Sequence, residues 1–278
     1  MYIMKILVLG GDKRCIYAAG ELARTAQVDM FALAGHNARP AGKYDCVLLG
    51  LPCSRDNVTV NAPMYDRTVT LEEAVGFVRG GGMLLGGMLC PSLLRLCDEK
   101  GVRCEDYYRR ESFILKNAVP SAEGALAVGI NSTEGQIMGA EVLITGYGRI
   151  ASLLAKYLSA LCANVTVVCR SEEQRTKALI NGLKAIDFPQ LGGEMKRFSL
   201  VYNTVPAEVI GGYEISNAKK GAVYVELASS SGIDLAEANR YGLAVINAQG
   251  LPAKTAPQTA GRIIAEEAES ILKSMNIE

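Results

Sequence analysis

Short apolar runs alternate with amphipathic segments along the first part of the chain. Runs of this kind are typical of parallel strands that are covered on both faces. The predicted strands are Ile3–Leu9, Val28–Leu33, Cys46–Leu49, Met83–Gly86 and a shorter run at Val102–Cys104. The predicted helices are Arg14–Thr25, Leu71–Gly80, Ser92–Lys100 and a charged helix around Asp106–Leu115. The alternation indicates a small doubly wound α/β domain.

The same rhythm continues after a helix that we predict over Ser121–Ile137. This helix opens at Pro120-Ser121 and has Glu123 in its first turn, where acidic residues are favoured. The predicted strands that follow are Val142–Thr145, Val165–Cys169, Ala185–Ile186, Leu200–Asn203, Ala222–Glu226 and Ala244–Asn247. A long amphipathic helix from Pro257 to Met275 comes last.

These elements predict an α/β protein with two doubly wound, Rossmann-like domains, each built on a parallel sheet. We expect long helices to join the domains and a cleft to lie between them. Residues 1–120 form the predicted substrate or partner domain, and residues 121–256 form the predicted dinucleotide-binding domain. We expect the C-terminal helix, residues 257–278, to pack back on the first domain.

Composition and charge exclude several classes of function. Lys and Arg number 29, as do Asp and Glu, so no global field attracts nucleic acid or an anionic membrane surface. We expect no signal peptide and no membrane span, because the apolar runs are too short. The eight cysteines then indicate reduced thiols in a cytoplasmic protein. Cys90, Cys97 and Cys104 have no histidine nearby, so we predict no metal site.

A glycine motif in the second half carries the most specific chemical signal. The strand Val142–Thr145 is followed by G-x-G-x-x-A, which ends at Ala151, and then by a helical pattern. In this context, glycines allow a tight turn and a close approach of the backbone to a pyrophosphate at the start of the helix. The predicted cofactor contacts in this turn are Gly146, Tyr147, Gly148, Arg149 and Ile150.

The end of the next predicted strand indicates which dinucleotide binds. Arg170 and Ser171 stand where an NAD site would place an acidic residue. An arginine and a hydroxyl there can hold a 2′-phosphate, so NADP is favoured over NAD. Glu172 and Glu173 follow directly; they would repel a phosphate if they turned inward, but they also suit the first turn of a helix.

Three further segments follow predicted strands at the edge where ligands bind to open α/β sheets. The cofactor contacts that we predict in these segments are Thr204, Val205, Pro206, Leu227, Ala228, Ser229, Gly250, Leu251 and Pro252. Ordinary strand-ending turns would produce similar sequences. Lys254 and Gln258 flank the last segment and are weaker candidates.

The single histidine argues against the commonest dehydrogenases with this layout. His36 lies in an N-terminal loop, away from the glycine motif, and suits an ordinary surface position. The 2-hydroxyacid, lactate and alanine dehydrogenases use a histidine acid/base, so their mechanisms do not fit this chain.

Several segments together resemble one family. They are Asn117–Gly124, the glycine turn, Arg170-Ser171, Asn203–Pro206, Glu226–Ser229, Gly250–Pro252 and Ala256–Gly261. In this order they are similar to the A subunit of dipicolinate synthase from spore-forming bacteria, as is the opening Gly10–Arg14. The resemblance covers the whole chain, although Ser229–Gly232 departs from the family pattern and leaves the contacts of that loop open.

The resemblance implies an NADP-dependent oxidation of a dihydrodipicolinate-type precursor to dipicolinate (pyridine-2,6-dicarboxylate) during sporulation. It also implies a partner, the flavoprotein-like B subunit, and the cytoplasm of the mother cell as location. We further expect a homo-oligomer.

Oxidation of a dihydropyridine-type ring needs mainly the positioning of two carboxylates and one C–H bond. The candidates for catalysis are Asp12, Arg14, Ser121 and Glu123. Arg14 could pair with a substrate carboxylate, assisted by the N–H groups of Gly11 and Asp12. Alternatively, Arg14 is a solvated residue of a first helical turn, Asp12 is a helix N-cap and Glu123 is a helix-start acid.

Two other functions remain open at this point. The first is another NADP-dependent dehydrogenase of a small dicarboxylate. The second is a subunit that senses NADP and performs no chemistry.

Overall fold

The computed structural model describes residues 3–274, which form two parallel β-sheets flanked by helices. The strands are β1 (Lys5–Leu9), β2 (Gln27–Phe31), β3 (Tyr44–Leu49), β4 (Val78–Gly86), β5 (Arg103–Asp106), β6 (Glu141–Thr145), β7 (Asn164–Val168), β8 (Lys184–Ile186), β9 (Leu200–Asn203), β10 (Val223–Glu226) and β11 (Ala244–Asn247). The helices are α1 (Lys13–Leu22), α2 (Leu71–Gly76), α3 (Pro91–Glu99), α4 (Glu111–Ser132), α5 (Arg149–Ala160), α6 (Glu172–Ile180), α7 (Phe188–Glu194), α8 (Gly212–Ser216), α9 (Leu235–Arg240), α10 (Leu251–Thr255) and α11 (Pro257–Ser274).

The chain divides into two compact units. Unit 1 comprises Met1–Asn117 and Pro252–Glu278, and unit 2 comprises Ala118–Leu251. The predicted fold class of two parallel-sheet α/β domains is confirmed. The last residues of the predicted C-terminal helix, 275–278, lie outside the described part of the chain.

Unit 1 is built on the strand order β2-β1-β3-β4-β5. Alternate side chains of β1 pack into the hydrophobic cores on opposite faces of the sheet, because successive residues of a strand point to opposite faces. Ile6 and Val8 pack with α1 and α11, whereas Leu7 and Leu9 pack with α2 and α3. Both faces of this sheet are therefore covered, which explains why its strands are continuous apolar runs.

Helix α11 returns the chain to unit 1 and packs closely on α1. Gly261 makes this approach possible, because a methyl group there would lie 2.6 Å from Tyr17 Cβ, 3.1 Å from the Ala18 backbone nitrogen and in contact with the Arg14 carbonyl. Further along α11, Glu267 is buried and accepts hydrogen bonds from Arg110 and from the Ser112 hydroxyl, at the start of α4.

The predicted break between two helices is wrong. The sequence predicts separate helices around Asp106–Leu115 and over Ser121–Ile137, but the structure has one helix, α4, that continues through Pro120. Proline removes one backbone hydrogen bond within a helix, but the residues around it, including Ala118 and Ala122, are buried and hold the helix together. Glu123 consequently lies in the middle of a helix and not in a first turn.

The helix predicted over Leu71–Gly80 ends at Gly76, and β4 begins already at Val78. The glycines that follow, Gly80–Gly82, disfavour a helix, and Gly81 has a φ of +77° where the pairing of β3 with β4 is irregular. Gly82 also lies against β3, where a methyl group would be 2.7 Å from the Asp45 carbonyl oxygen and 3.0 Å from that of Tyr44.

Unit 2 has the strand order β11-β10-β9-β6-β7-β8. The order reverses between β6 and β9, which are paired neighbours in the sheet. In open α/β sheets the loops at the carboxyl ends of such strands form a crevice for ligands. The candidate site of unit 2 therefore lies at the carboxyl edge of this sheet, around Thr145 and Asn203.

None of the helices in the described range combines the length and the apolar character that a membrane crossing requires. Residues 3–274 also contain no group of three or more His, Cys, Asp or Glu side chains that could hold a metal ion.

Candidate functional site

The glycine turn joins β6 to α5 at the carboxyl edge of the unit 2 sheet. Gly146 has a φ of +78°, a conformation that favours glycine, and its N–H donates to the Val168 carbonyl at 2.8 Å. A methyl group at Gly146 would lie 3.0 Å from Thr204 Oγ1 and 3.2 Å from Val205 Cγ2. Backbone conformation and crowding therefore both require glycine at this position.

Gly148 has a different environment. It is the N-cap of α5 and provides no side-chain capping bond, so the first N–H groups of the helix have no intrahelical acceptor. No atom of the described residues lies within 4 Å of the position that a methyl group would take. Open space in front of the first N–H groups of a helix suits a pyrophosphate. The residues of this turn thus fit a dinucleotide.

The other residues predicted in the turn differ in exposure. Tyr147 and Ile150 are half-buried against the core between the sheet and α5, and Arg149 is exposed. Burial raises the pKa of the Tyr147 hydroxyl above its ordinary value. Tyr147 and Ile150 therefore support the turn from the core side.

Arg170 and Ser171 are exposed and directly follow β7 and Cys169. Ser171 is the N-cap of α6 but makes no capping bond with its side chain, so its hydroxyl remains available to a ligand. Arg175 stabilises this loop from α6, because its Nη1 donates to the carbonyls of Cys169 at 2.8 Å and Arg170 at 2.9 Å. This arrangement presents a guanidinium and a hydroxyl at the carboxyl end of β7.

The acidic residues after Ser171 point to solvent. Glu172 and Glu173 are both exposed, and Glu173 accepts a 2.6 Å hydrogen bond from Lys177 one turn along α6. This bond and the lysine charge lower the pKa of the Glu173 carboxyl. The Glu173 charge is thus compensated on the helix surface.

A buried polar network connects the ends of β6 and β9. The Thr145 hydroxyl donates to Asn203 Oδ1, and both residues are fully buried. Thr204 returns two bonds to Thr145, from its N–H to Oγ1 at 3.1 Å and from its hydroxyl to the carbonyl at 2.6 Å. Asn203 also bonds the backbone of Val205 through both its oxygen and its nitrogen. The loop that starts at Thr204 is therefore held at four points.

The network extends to the end of β10 through Glu226, which is 3% exposed. Asn203 Nδ2 donates to its Oε1 at 2.7 Å, the Ala228 N–H donates to Oε1 at 3.0 Å and the Gly232 N–H donates to Oε2 at 2.9 Å. Ser231 Oγ is 3.5 Å from Oε2 but donates more closely, at 2.8 Å, to a neighbouring carbonyl. One carboxylate thus organises the loop after β10.

The residues predicted in the later loops lie at the same edge. Thr204, Val205 and Leu227 are half-buried, whereas Pro206 and Ser229 are exposed. Ala228 is buried, and its carbonyl accepts a 2.6 Å bond from Gln249 Nε2. The backbone of Ala228 is therefore held on both sides, by Glu226 and by Gln249.

In the segment after β11, residues 250–252, the glycine main chain is exposed and the two apolar side chains are buried. Gly250 is exposed with a φ of +67°, whereas Leu251 and Pro252 are buried. Lys254 and Gln258 are exposed. A contact of this segment with a cofactor would therefore come from the main chain around Gly250.

In unit 1, Asp12 and Arg14 bind each other. Asp12 caps α1 by accepting the Arg14 N–H at 3.0 Å, and it forms a two-bond ion pair with the guanidinium at 2.9 and 2.8 Å. Arg14 is 8% exposed and also donates to the Leu51 carbonyl. Burial raises the pKa of Asp12, but the Arg14 hydrogen bond and charge outweigh it, so the pKa lies below its ordinary value.

These contacts correct two expectations. Arg14 is not a solvated first-turn arginine, because it is buried and binds Asp12 and the Leu51 carbonyl. The Gly11 N–H is not directed at a substrate, because it donates to the Asn61 carbonyl at 2.7 Å. Asp12 and the Leu51 carbonyl use Nε and Nη2 of Arg14, so a substrate carboxylate could bind the guanidinium through Nη1 or by replacing Asp12.

Ser121 and Glu123 lie on different faces of α4. Ser121 is buried, whereas Glu123 is exposed. His36 is also exposed, in a tight turn where its backbone pairs with Leu33.

Comparison with known proteins shows which proteins this chain resembles. The family model of the N-terminal domain of the dipicolinate synthase A subunit matches residues 5–108. The A subunit of dipicolinate synthase from Bacillus subtilis (strain 168) is 24% identical to the chain, over 99% of this chain and 98% of that protein. Over its whole length the chain is thus similar to a dipicolinate synthase A subunit, and residues 5–108 match the N-terminal domain of that family.

Solved structures agree in fold. The crystal structure of the dipicolinate synthase A subunit from Bacillus halodurans has a TM-score of 0.87 with 21% identity, over 98% of each chain. A transhydrogenase from Sinorhizobium meliloti has a TM-score of 0.68 with 12% identity, over 97% of this chain and 94% of that one. The chain therefore shares the fold of these two proteins over nearly its whole length.

Four residues of the site were not among the predicted contacts. Thr145, Asn203 and Glu226 end three adjacent strands, and Arg175 supports the Arg170 loop. A polar residue at the end of an otherwise apolar strand was the available signal for the first three, because such a residue is buried at the carboxyl edge. The arginine in α6 had no comparable signal.

Proposed function

We propose that this chain is the NADP-dependent oxidising subunit of a dipicolinate synthase, which converts a dihydrodipicolinate-type precursor to dipicolinate during sporulation. One observation carries the proposal. A strand–glycine turn–helix element that fits a dinucleotide lies in a chain whose whole length aligns with the A subunit of the Bacillus subtilis enzyme. The proposed partner is the flavoprotein-like B subunit, in the cytoplasm of the mother cell.

The residues of unit 2 would hold the dinucleotide in two parts. The N–H groups at the start of α5 and the open space at Gly148 would bind the pyrophosphate. Arg170 and Ser171 would bind the 2′-phosphate, which favours NADP over NAD. The loops that begin at Thr204 and Leu227 would line the nicotinamide half. The bound nicotinamide supplies a hydride acceptor.

The chain's remaining task is to orient the substrate and accept one proton. Glu123 is the exposed carboxylate among the four catalytic candidates, so we assign the proton to it. Arg14 would bind a substrate carboxylate in exchange for Asp12, which already forms the same two-bond geometry. Ser121, which is buried, would act only on groups that reach the interior side of α4. Aromatisation of the ring provides the driving force, so positioning is the main contribution of these residues.

The test is a reconstituted reaction. The chain is mixed with its B subunit, freshly generated precursor, and either NADP or NAD, and reduced cofactor and dipicolinate are followed together. We expect both products to form in equal amounts with NADP. Absence of product with either cofactor, under conditions in which the Bacillus subtilis enzyme is active, would refute the proposal.

The mutual neutralisation of Asp12 and Arg14 favours a second candidate, a subunit that binds NADP and performs no chemistry. In that case the ion pair is purely structural. Arg14→Ala and Glu123→Ala, both checked for folding and for NADP binding, would then leave the reconstituted synthase at full rate. The oxidising subunit instead predicts a large loss of rate with NADP binding retained.

A further inference from the structure

Glu226 is a buried carboxylate that the proposed reaction does not use. It is the last residue of β10, at the carboxyl edge of the unit 2 sheet, and it is 3% exposed. Its neighbour on β9 is Asn203, the register partner that also donates to it. Burying a carboxylate this deeply costs free energy unless other groups stabilise its charge.

Only neutral groups stabilise the charge of the Glu226 carboxylate. No Lys, Arg or His of residues 3–274 lies within ion-pair distance of Glu226. Its close donors are the Asn203 amide and the N–H groups of Ala228 and Gly232, at 2.7 to 3.0 Å. N–H groups can only donate, so this set matches an ionised carboxylate. Hydrogen bonds spread the charge without cancelling it, and burial limits its screening by salt.

The position of this charge matters if a dinucleotide binds as proposed above, and the inference rests on that function. A doubly wound sheet of this order binds one mononucleotide half over each half of the sheet. The β6–β7–β8 half carries the glycine turn and Arg170, which suit the pyrophosphate and the adenosine phosphate. The β9–β10–β11 half carries Glu226 and remains for the nicotinamide.

We propose that Glu226 makes unit 2 bind the oxidised nucleotide in preference to the reduced one. The nicotinamide ring carries a positive charge in NADP⁺ and none in NADPH, while the phosphates are the same in both. A buried negative charge on this half of the sheet therefore attracts only the oxidised ring. In an enzyme that oxidises its substrate, this preference favours loading of the hydride acceptor and release of the reduced product.

A purely structural role predicts a different result. Glu226 holds Ala228 and Gly232 directly and Val205 through Asn203, so its loss could loosen the loops. Loosened loops would weaken NADP⁺ and NADPH together. The ratio of the two dissociation constants thus separates electrostatic selection from loop support.

The experiment measures both dissociation constants for the full-length protein by isothermal titration calorimetry. The variants are Glu226→Gln, which removes the charge, and Glu226→Asp, which keeps it. Glu237→Gln is the matched control, because Glu237 is a more exposed glutamate of the same unit that pairs with Arg240. A unit charge acting across about 10 Å at an effective dielectric constant of about 20 changes a binding constant roughly ten-fold or more.

We expect Glu226→Gln to raise the ratio of the NADP⁺ constant to the NADPH constant about ten-fold, and Glu226→Asp and Glu237→Gln to leave it unchanged. An unchanged ratio in Glu226→Gln, with both constants measurable, would overturn the inference. If that variant does not fold, the wild type is the test: binding of NADPH as tight as, or tighter than, binding of NADP⁺ overturns the inference. Failure of the wild type to bind either nucleotide would instead refute the proposed function.

Discussion

Two glycines inside helices of unit 1 predict opposite effects of the same substitution. Gly261 lies in α11 against the backbone of α1, whereas an added methyl group at Gly20, in α1, would have no atom within 4 Å other than nearby backbone of its own helix. Alanine is a better helix former than glycine by about 1 kcal/mol, so sequence alone predicts that both substitutions stabilise. The surroundings decide otherwise for Gly261.

A methyl group at Gly261 would contact the Arg14 carbonyl and approach Tyr17 Cβ to 2.6 Å. One neighbour is backbone and the other is a β-carbon, so neither can rotate away and the two helices must separate. Overpacking of this kind costs about 3 kcal/mol, which exceeds the gain in helix propensity. We expect Gly261→Ala to destabilise unit 1 by about 2 kcal/mol and Gly20→Ala to stabilise it by about 0.5–1 kcal/mol.

Urea unfolding followed by far-ultraviolet circular dichroism measures both changes, since the chain has no tryptophan for fluorescence. Thermal unfolding should show a fall of roughly 5 °C or more for Gly261→Ala. The reasoning is refuted if Gly261→Ala is as stable as the wild type while Gly20→Ala is stabilised, because the helices would then tolerate the extra atom.

The remaining predictions concern the nucleotide site and the Asp12–Arg14 pair. Gly148→Ala should change the free energy of unfolding by less than about 1 kcal/mol but weaken NADPH binding at least about ten-fold, because the methyl group fills the space proposed for the pyrophosphate. Fluorescence titration measures this binding, and an NADPH dissociation constant equal to that of the wild type would contradict the prediction. Arg170→Gln should weaken NADP binding about ten-fold and leave NAD binding unchanged, as direct titration with each cofactor would show; a wild type that prefers NAD strongly would contradict the assignment. Asp12→Asn keeps a capping side chain but removes the charge beside Arg14, and should cost about 2 kcal/mol at pH 7. Because folding lowers the pKa of Asp12, its stabilisation is complete above the ordinary value of 3.8 and is lost as pH falls through the folded value; the gap between variant and wild type must therefore shrink in acid-unfolding curves.

The polar residues of the site illustrate the limits of pattern analysis. The glycine turn was predictable because Gly146 and Gly148 stand between a strand and a helix, and the structure shows a positive φ at the first and open space at the second. Local pattern leaves Arg14 free for a substrate or for solvent, yet it pairs with Asp12 two residues away. Its guanidinium also donates to the Leu51 carbonyl, which lies far along the chain.

Local sequence by itself determined the elements and the class of fold. Short apolar runs must become covered parallel strands, and glycines between them must become turns, because burial and backbone conformation act within a few residues. Only the tertiary structure decided the continuity of α4 through Pro120 and the network of Thr145, Asn203 and Glu226. The helix continues because residues around Pro120 are buried by the fold. The network joins residues that are distant in sequence and meet at one edge of a sheet, where the fold and not the spacing along the chain assigns hydrogen-bonding partners.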